Sequence, residues 1–252
     1  MGMYVCTRQH MLACVVAVGF VGAGIAAADV VTLNPTADNT LYQDNTGSLS
    51  NGAGQHFFAG TNSGGKVRRG LLRFDVAASI PQNATITSVT LLLHVSRSAG
   101  GPSMVAMHRT LSDWGEGTTD ADGAEGGGGP ATPDSATWLH AFYDQTLWTN
   151  PGGDFAPAAS ASLLVGDQGS YAWSSPELVA DVQAWVDGAT PDFGWTILGD
   201  ESTTSTAKRF DTRENGDATV WPQLVVEYVP TPSTLALVPI ALGFAARRKR
   251  PA

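Results

Sequence analysis

The chain has very little cysteine. Cys6 and Cys14 are the only two cysteines among its 252 residues, and both lie in the first 28 residues. If that segment is removed, the remaining chain cannot form disulfides and its core alone must hold it together. About 200 residues are enough for one sizeable core without such links.

The N-terminal segment has the three parts of a secretory signal. A weakly basic start with Arg8 is followed by an apolar run over residues 11–25 and by a small-residue cleavage site that ends at Ala28. We therefore expect residues 1–28 to be a signal peptide that is cleaved before Asp29.

Two alternatives for this segment are less well matched by its sequence. An uncleaved membrane anchor is one, but the apolar run is shorter than the ~20 residues that span a bilayer. A lipoprotein signal is the other. Cys14 stands near the start of the apolar run, whereas a lipid-acceptor cysteine would end it.

Basic residues are also scarce. Outside Arg8 and a basic cluster at the C-terminus, the chain has 9 Lys and Arg against 23 Asp and Glu, a net charge of −14. A surface of this sign repels nucleic acid and anionic lipid. We therefore expect no nucleic-acid partner, and membrane contact only through the C-terminal segment.

The sequence contains none of the common catalytic templates. It has no G-x-S-x-G elbow, no H-E-x-x-H helix and no phosphate-binding G-x-x-x-x-G-K loop. The histidines His56, His94, His108 and His140 are not at metal-ligand spacing. We expect no catalytic residues. A hydrolase or lyase with paired carboxylates stays open, because its two acids can lie far apart in sequence.

Short β-type runs make up most of the chain between the two terminal segments. Residues 67–76 alternate between polar and apolar side chains, and residues 86–95 are rich in β-branched and aliphatic residues. The chain also has 29 Gly and 14 Pro, which favour turns. Residues 38–54 lose this pattern and predict a long loop around a brief strand at Leu41 and Tyr42, and residues 112–135 predict a mobile surface loop. The pattern predicts one all-β domain over residues 29–229, a jelly-roll β-sandwich of antiparallel strands.

One amphipathic helix is expected among the strands. Ser175, Pro176 and Glu177 are typical of a helix N-terminus, and Gly188 is typical of its end. Between them apolar residues recur at helical spacing. This helix should cover one open end of the sandwich.

Aromatic residues cluster in the irregular region. Flat rings can stack on sugar rings, so Trp114, Trp138, Tyr143 and Trp148, with Phe155 nearby, are candidate carbohydrate-binding residues. The alternative is that these rings are buried in the core.

Acidic residues also crowd this region. Asp120 and Asp122 offer the oxygen ligands that Ca²⁺ prefers, so a structural Ca²⁺ is the one cofactor to consider. The pattern lacks the other ligand positions of an EF-hand loop. A solvated acidic loop is the alternative.

Alternating charges mark two strands. Arg73 and Asp75 lie on one, and Asp211 and Arg213 follow Arg209 on another. Their regular placement favours a structural role in ion pairs or hydrogen bonds that hold strand register. A ligand role is the alternative.

Several segments together resemble the DNRLRE-domain family. The segments are residues 70–75, 80–91, 136–138, 148–154, 178–195, 210–214 and 222–228. The resemblance implies a jelly-roll sandwich related to carbohydrate-binding module family 96. It also implies an exported protein, and members of the family are often attached to enzymes that act on polysaccharides.

The C-terminal segment, residues 230–252, resembles a PEP-CTERM sorting signal. It has a proline-containing start, a short apolar stretch and a basic cluster, formed by Pro230, Pro232, Arg247, Arg248, Lys249 and Arg250. The basic cluster would hold this end at the cytoplasmic face. The resemblance implies transient anchoring in the inner membrane of a Gram-negative bacterium that makes exopolysaccharide, and processing by an exosortase. A simple anchor or a disordered tail is the alternative.

These features predict an exported, non-catalytic protein of the cell surface, extracellular matrix or biofilm that binds polysaccharide or is associated with exopolysaccharide. Signal peptidase and an exosortase-type enzyme would process it. A structural or adhesion module without sugar affinity is the first alternative, and a polysaccharide-cleaving enzyme is the second.

Overall fold

The structure, a computed structural model, describes residues 27–231. The predicted sorting signal, apart from Pro230 and Thr231, lies outside the described residues, and so does the predicted signal peptide up to residue 26. The described part forms one compact unit, Ala26–Thr231.

Antiparallel strands make up most of this unit. They are β1 (Asp29–Leu33), β2 (Ala37–Tyr42), β3 (Leu49–Ser50), β4 (His56–Thr61), β5 (Val67–Arg73), β6 (Thr85–Ser98), β7 (Ser103–Arg109), β8 (Gly129–Pro130), β9 (His140–Phe142), β10 (Thr146–Leu147), β11 (Ala161–Val165), β12 (Gly169–Trp173), β13 (Trp195–Leu198), β14 (Lys208–Asp211) and β15 (Gln223–Val229). The remaining elements are α1 (Val76–Ser79), α2 (Pro176–Val186) and a 3-10 turn (Ala218–Val220).

Most strands belong to one curled sheet. Its order is β1-β15-β6-β14-β4-β5-β13-β7-β11, with β12 also paired to β6 and β2 to β5. The sheet turns within β4, where the first residues pair with β14 and the last two, Gly60 and Thr61, pair with β5. Gly60 has φ +115°, a value that favours glycine. The predicted all-β sandwich of jelly-roll type is confirmed.

The main core lies inside the curl. Along β6 the side chains of Val89, Leu91, Leu93 and Val95 alternate inward and are almost fully buried. Ile86 is also buried, three residues before Val89, because the pairing with β15 shifts register there. Such a bulge lets two residues out of phase face the same core.

The predicted helix is present as α2. The Ser175 side chain accepts a hydrogen bond from the backbone N–H of Leu178, and Pro176 opens the helix. Its buried face packs on β6 and places the ring of Trp185 4.6 Å from that of Trp195. Within residues 27–231, no helix is both long and apolar enough to cross a bilayer.

A second, smaller core lies on the outer face of β5. Leu72 points into the main core, whereas Leu71 packs outward with Leu41 and Trp114. The irregular chain between β7 and β11 supplies most of the cover for this face.

Two predicted loops are therefore corrected. Residues 38–54 begin in β2, whose six residues are all buried, and residues 112–135 bury Trp114 and Glu125. The predictions for both segments were wrong because β5 also carries the apolar side chains of Val67 and Leu71 on its outer side, and burying them from water is favourable.

Candidate functional site

The three candidate tryptophans lie in the second core. Trp114, Trp138 and Trp148 are 1%, 8% and 5% exposed. The indole N–H of Trp114 donates to the carbonyl of Phe193 at 2.8 Å, and that of Trp148 donates to the carbonyl of Thr137 at 2.9 Å. The expectation that these rings form an exposed stacking surface is wrong, because they cover the apolar outer face of β2 and β5.

Arg69 also occupies the aromatic faces. Its guanidinium lies 5.0 Å from the Trp138 ring centre and 5.2 Å from that of Phe155, and Nε and Nη2 bind both carboxylate oxygens of Glu201 at 2.7 and 2.8 Å. Tyr143 is half-buried with its ring edge-on to His140. These aromatic residues therefore do not form one open platform.

The candidate metal ligands Asp120 and Asp122 are both exposed. Among residues 27–231, the carboxylates close enough together to hold a metal ion are those of Asp38, Glu116 and Glu214 instead. The structure adds no support for Ca²⁺ at Asp120 and Asp122.

The first charged pair, Arg73 and Asp75, is split between two contacts. Arg73 Nη1 lies 2.8 Å from Asp113 Oδ1, and its guanidinium is 5.0 Å from the Trp114 ring centre. The Asp75 carboxylate caps α1 by accepting a hydrogen bond from the backbone N–H of Ala78. Arg73 therefore contacts the segment after β7, whereas Asp75 caps α1, and the two residues do not pair with each other.

Asp211 is the centre of a buried polar chain. Its Oδ2 lies 2.6 Å from His94 Nδ1, its Oδ1 lies 3.3 Å from His56 Nε2, and His56 Nδ1 lies 3.2 Å from Glu125 Oε1. Burial raises the pKa of Asp211, but hydrogen bonds from both histidines outweigh it and leave the pKa below its ordinary value. These groups join β6, β14 and β4.

The pKa values of His56 and Glu125 are also shifted in the direction that favours their charged forms, despite burial. Burial lowers the pKa of His56, but the carboxylates of Asp211 and Glu125 close to its two ring nitrogens outweigh it, so the pKa lies above its ordinary value of 6.5. Burial raises the pKa of Glu125, and the hydrogen bonds from His56 and Asn51 outweigh it, so the pKa lies below 4.5. These contacts therefore favour a protonated His56 between the carboxylates of Asp211 and Glu125.

Arg213 holds two acids beside this chain. Its Nη2 lies 2.6 Å from Glu116 Oε2 and its Nε lies 2.7 Å from Glu214 Oε1. The contacts tie the segment after β14 to the long irregular segment that contains Glu116.

A row of residues that the sequence did not indicate crosses the outer face of three strands. Arg209 on β14 is directly opposite Arg97 on β6 and directly opposite Phe58 on β4. Direct cross-strand partners share one face, with Cβ atoms about 4.5–5.5 Å apart. The next residue, Phe210, faces the core and stacks on Phe57.

The two arginines of this row have no acidic partner among the described residues. Arg209 Nε donates to Ser96 Oγ at 3.1 Å, and Arg97 is exposed with no side-chain hydrogen bond within residues 27–231. Like charges placed directly opposite each other on neighbouring strands are destabilising. An anion bound between them would remove this repulsion.

The row lines a groove of about 310 Å³. Arg68 closes one side: its guanidinium lies 4.8 Å from the Tyr42 ring centre and Nε donates to the carbonyl of Gly126 at 3.2 Å. Burial lowers the pKa of Arg68 below its ordinary value, but a guanidinium stays charged. Asn62 and Ser205 add polar groups at the rim. The groove therefore combines guanidinium N–H donors with the edge of an apolar ring.

Sequence analysis could not find this groove. Arg97 and Arg209 are far apart in the chain, and only the strand register brings them together. The one available signal was that Arg209 and Asp211 alternate with Phe210 in a β-type run, which places Arg209 on the face opposite Phe210.

No protein-family model matches the chain, and no curated protein matches it either. A function must therefore be inferred from the groove and from the residues that line it.

Proposed function

We propose that this is an exported, non-catalytic β-sandwich that binds an acidic polysaccharide in the groove between Arg97, Arg209 and Phe58. The observation that carries the proposal is the direct opposition of Arg97 and Arg209, neither of which has a carboxylate partner among residues 27–231. In this reading the sugar carboxylate is the missing partner.

The chemistry of the groove matches uronate sugars. A guanidinium presents parallel N–H donors that bind a carboxylate in a bidentate way, and such charge-assisted bonds are roughly twice as strong as neutral ones. Phe58, which is 7% exposed, lines the groove with Asn62 and Ser205, and these residues would contact the sugar ring and its hydroxyls.

The acidic surface does not prevent this binding. At 4 Å, a pair of unit charges near a protein surface interacts by about 4 kcal/mol, whereas charges farther apart than the Debye length of about 8 Å are largely screened in physiological salt. The two nearby guanidinium groups therefore outweigh the net charge of −14. We expect slow association and a short site, with one or two sugar residues in the groove.

The resemblance described above supports this proposal, because it implies an exported protein of the cell surface. A module related to carbohydrate-binding family 96 would meet polysaccharide outside the cytoplasm. The lack of disulfides does not oppose this, because the main core and the second core hold the described part together.

Calorimetric titration of the purified protein with a polyuronate and with a neutral glucan tests the proposal. We expect binding of the polyuronate only. Hydrogen bonds to charged groups contribute about 1.5–3 kcal/mol each, so Arg97→Gln and Arg209→Gln should each weaken binding by about 10-fold or more.

Arg109→Gln is the matched control, because it removes the same charge on β7, where Arg109 faces Asp181 at 3.4 Å. It should bind the polyuronate like the wild type. Equal binding by all four proteins would contradict the groove, and release of reducing ends from the polysaccharide would contradict the non-catalytic assignment.

A further inference from the structure

Three carboxylates meet at one point beside β2. Asp38 lies on β2, Glu116 in the irregular chain after β7, and Glu214 after β14. One oxygen of each lies within 4.8 Å of those of the other two. Segments that are far apart in the sequence therefore converge on this cluster.

Asp38 is a buried acid without a partner. It is 0% exposed, and neither Oδ1 nor Oδ2 has a hydrogen-bond partner within the described residues. The same holds for Oε2 of Glu214. Buried polar atoms in native proteins are almost always paired, so three unpaired oxygens in one cluster point to a missing ligand.

The cluster carries two negative charges that no basic side chain of the described residues compensates. Arg213 binds Glu116 and Glu214, and the backbone N–H of Asp38 donates to Glu116 Oε1 at 2.8 Å. Three carboxylates and one guanidinium carry a net charge of −2 when all are ionised. A divalent cation would neutralise it.

We propose that Asp38, Glu116 and Glu214 form a Ca²⁺ site that links β2 to the segments following β7 and β14. The free oxygens of Asp38 and Glu214 and a lone pair of Glu116 are the protein ligands. Backbone carbonyls or water complete the shell. The site is distinct from the groove and does not depend on it.

The donor set favours Ca²⁺ over Mg²⁺. Ca²⁺ takes about six to eight oxygen ligands in flexible geometry, whereas Mg²⁺ demands near-ideal octahedral geometry and dehydrates reluctantly, so it usually keeps several waters and binds through one or two carboxylates. Three carboxylates from three separate segments, with oxygens no more than 4.8 Å apart, therefore suit Ca²⁺.

A proton on Asp38 is the competing occupant. It would remove one negative charge and would join Asp38 to one of the two neighbouring carboxylates. A single proton joins at most two of the three carboxylates and leaves a net charge of −1, whereas a divalent cation binds all three and leaves the cluster neutral.

The test compares the thermal unfolding of the full purified protein in EDTA and in CaCl₂ at pH 7, together with direct calorimetric titration of Ca²⁺. Ligand at 100 times its Kd should raise the Tm of a domain of this size by about 5–10 °C. We expect a smaller rise with MgCl₂, and one calorimetric site for Ca²⁺.

Asp38→Asn and Glu214→Gln should lose the Ca²⁺-dependent rise. In EDTA, Asp38→Asn should unfold at the wild-type Tm or above it, because it removes a buried charge that has no partner. The double variant Asp120→Asn/Asp122→Asn is the matched control and should keep the full rise, since both residues are exposed.

Three results would overturn the site. They are a wild-type Tm that is equal in EDTA and CaCl₂, the absence of calorimetric binding, and an undiminished rise in Asp38→Asn or Glu214→Gln. If Asp38→Asn does not fold, Glu214→Gln and the wild-type titration still decide. Loss of polyuronate binding in the groove variants is a separate outcome, so the two proposals can fail independently.

Discussion

His94 Nδ1 lies 2.6 Å from Asp211 Oδ2, and the same carboxylate reaches His56 with its other oxygen at 3.3 Å. Asp211 is 2% exposed. A single buried carboxylate therefore connects two histidines from different strands, and the stability of these strands should depend on pH.

We predict a stability maximum for this network between about pH 4.5 and 6.5. The pKa of His56 is raised, so its contribution is complete below its ordinary value of 6.5 and is lost as pH rises through the raised pKa. The pKa values of Asp211 and Glu125 are lowered, so their contribution is present above 3.8 and 4.5 and is lost as pH falls. Urea unfolding from pH 3 to 9 measures the profile; a profile that rises steadily up to pH 9 would contradict it.

Asp211→Asn should destabilise the protein by about 3 kcal/mol at pH 5.5, because it leaves a protonated His56 with one carboxylate instead of two. The same substitution at the exposed Asp122 should change the free energy of unfolding by less than about 0.5 kcal/mol. Chemical denaturation of both variants gives the comparison. Equal stability of the two variants would show that the histidine contacts contribute nothing.

Trp114→Ala should cost about 3–5 kcal/mol, as is typical of a buried tryptophan. It also leaves the Phe193 carbonyl without the indole donor. The polysaccharide affinity of the milder Trp148→Phe variant should match the wild type, because this ring faces the second core and not the groove. A variant that keeps full stability but loses affinity would return this region to the binding surface.

Lys208→Met should destabilise the protein by about 1–3 kcal/mol. The Lys208 ammonium group is buried and donates to Ser98 Oγ and to the carbonyls of Ala99 and Gly101 at 2.8–3.0 Å. Methionine fills the same space but leaves these acceptors without a donor. Lys66→Met, at an exposed position, is the control and should leave the Tm nearly unchanged; thermal unfolding of both variants decides.

The sequence predicted those elements whose signals are local. The alternation in β6 and the Ser175-Pro176 start of α2 depend on neighbouring residues, and both elements are present in the structure. β2 was predicted only at Leu41 and Tyr42, because Asp38, Asn39 and Thr40 look like loop residues. Asn39 is buried only because its amide donates to Ser50 and to backbone carbonyls 77 and 97 residues away.

The candidate sites depended on distant pairing in the same way. Trp114 and Trp148 lie in irregular chain, which usually predicts exposure, but the second apolar face of β5 buries them. The opposition of Arg97 and Arg209 follows from register, and the Asp38 cluster follows from three segments that meet in space. Neither arrangement can be predicted from the residue types alone.

The pairing of β1 with β15 has a mechanical consequence. Asp29 is opposite Tyr228 and Leu33 is opposite Leu224, so tension between Asp29 and Val229 would peel β1 away one pair at a time, starting at the open end. Tension between Arg97, the groove residue on β6, and Val229 at the end of β15 would act parallel to the strands instead. It would pull in shear on the seven residue pairs of the β6–β15 ladder at once, so a molecule gripped by the groove and tethered through β15 should withstand far more force.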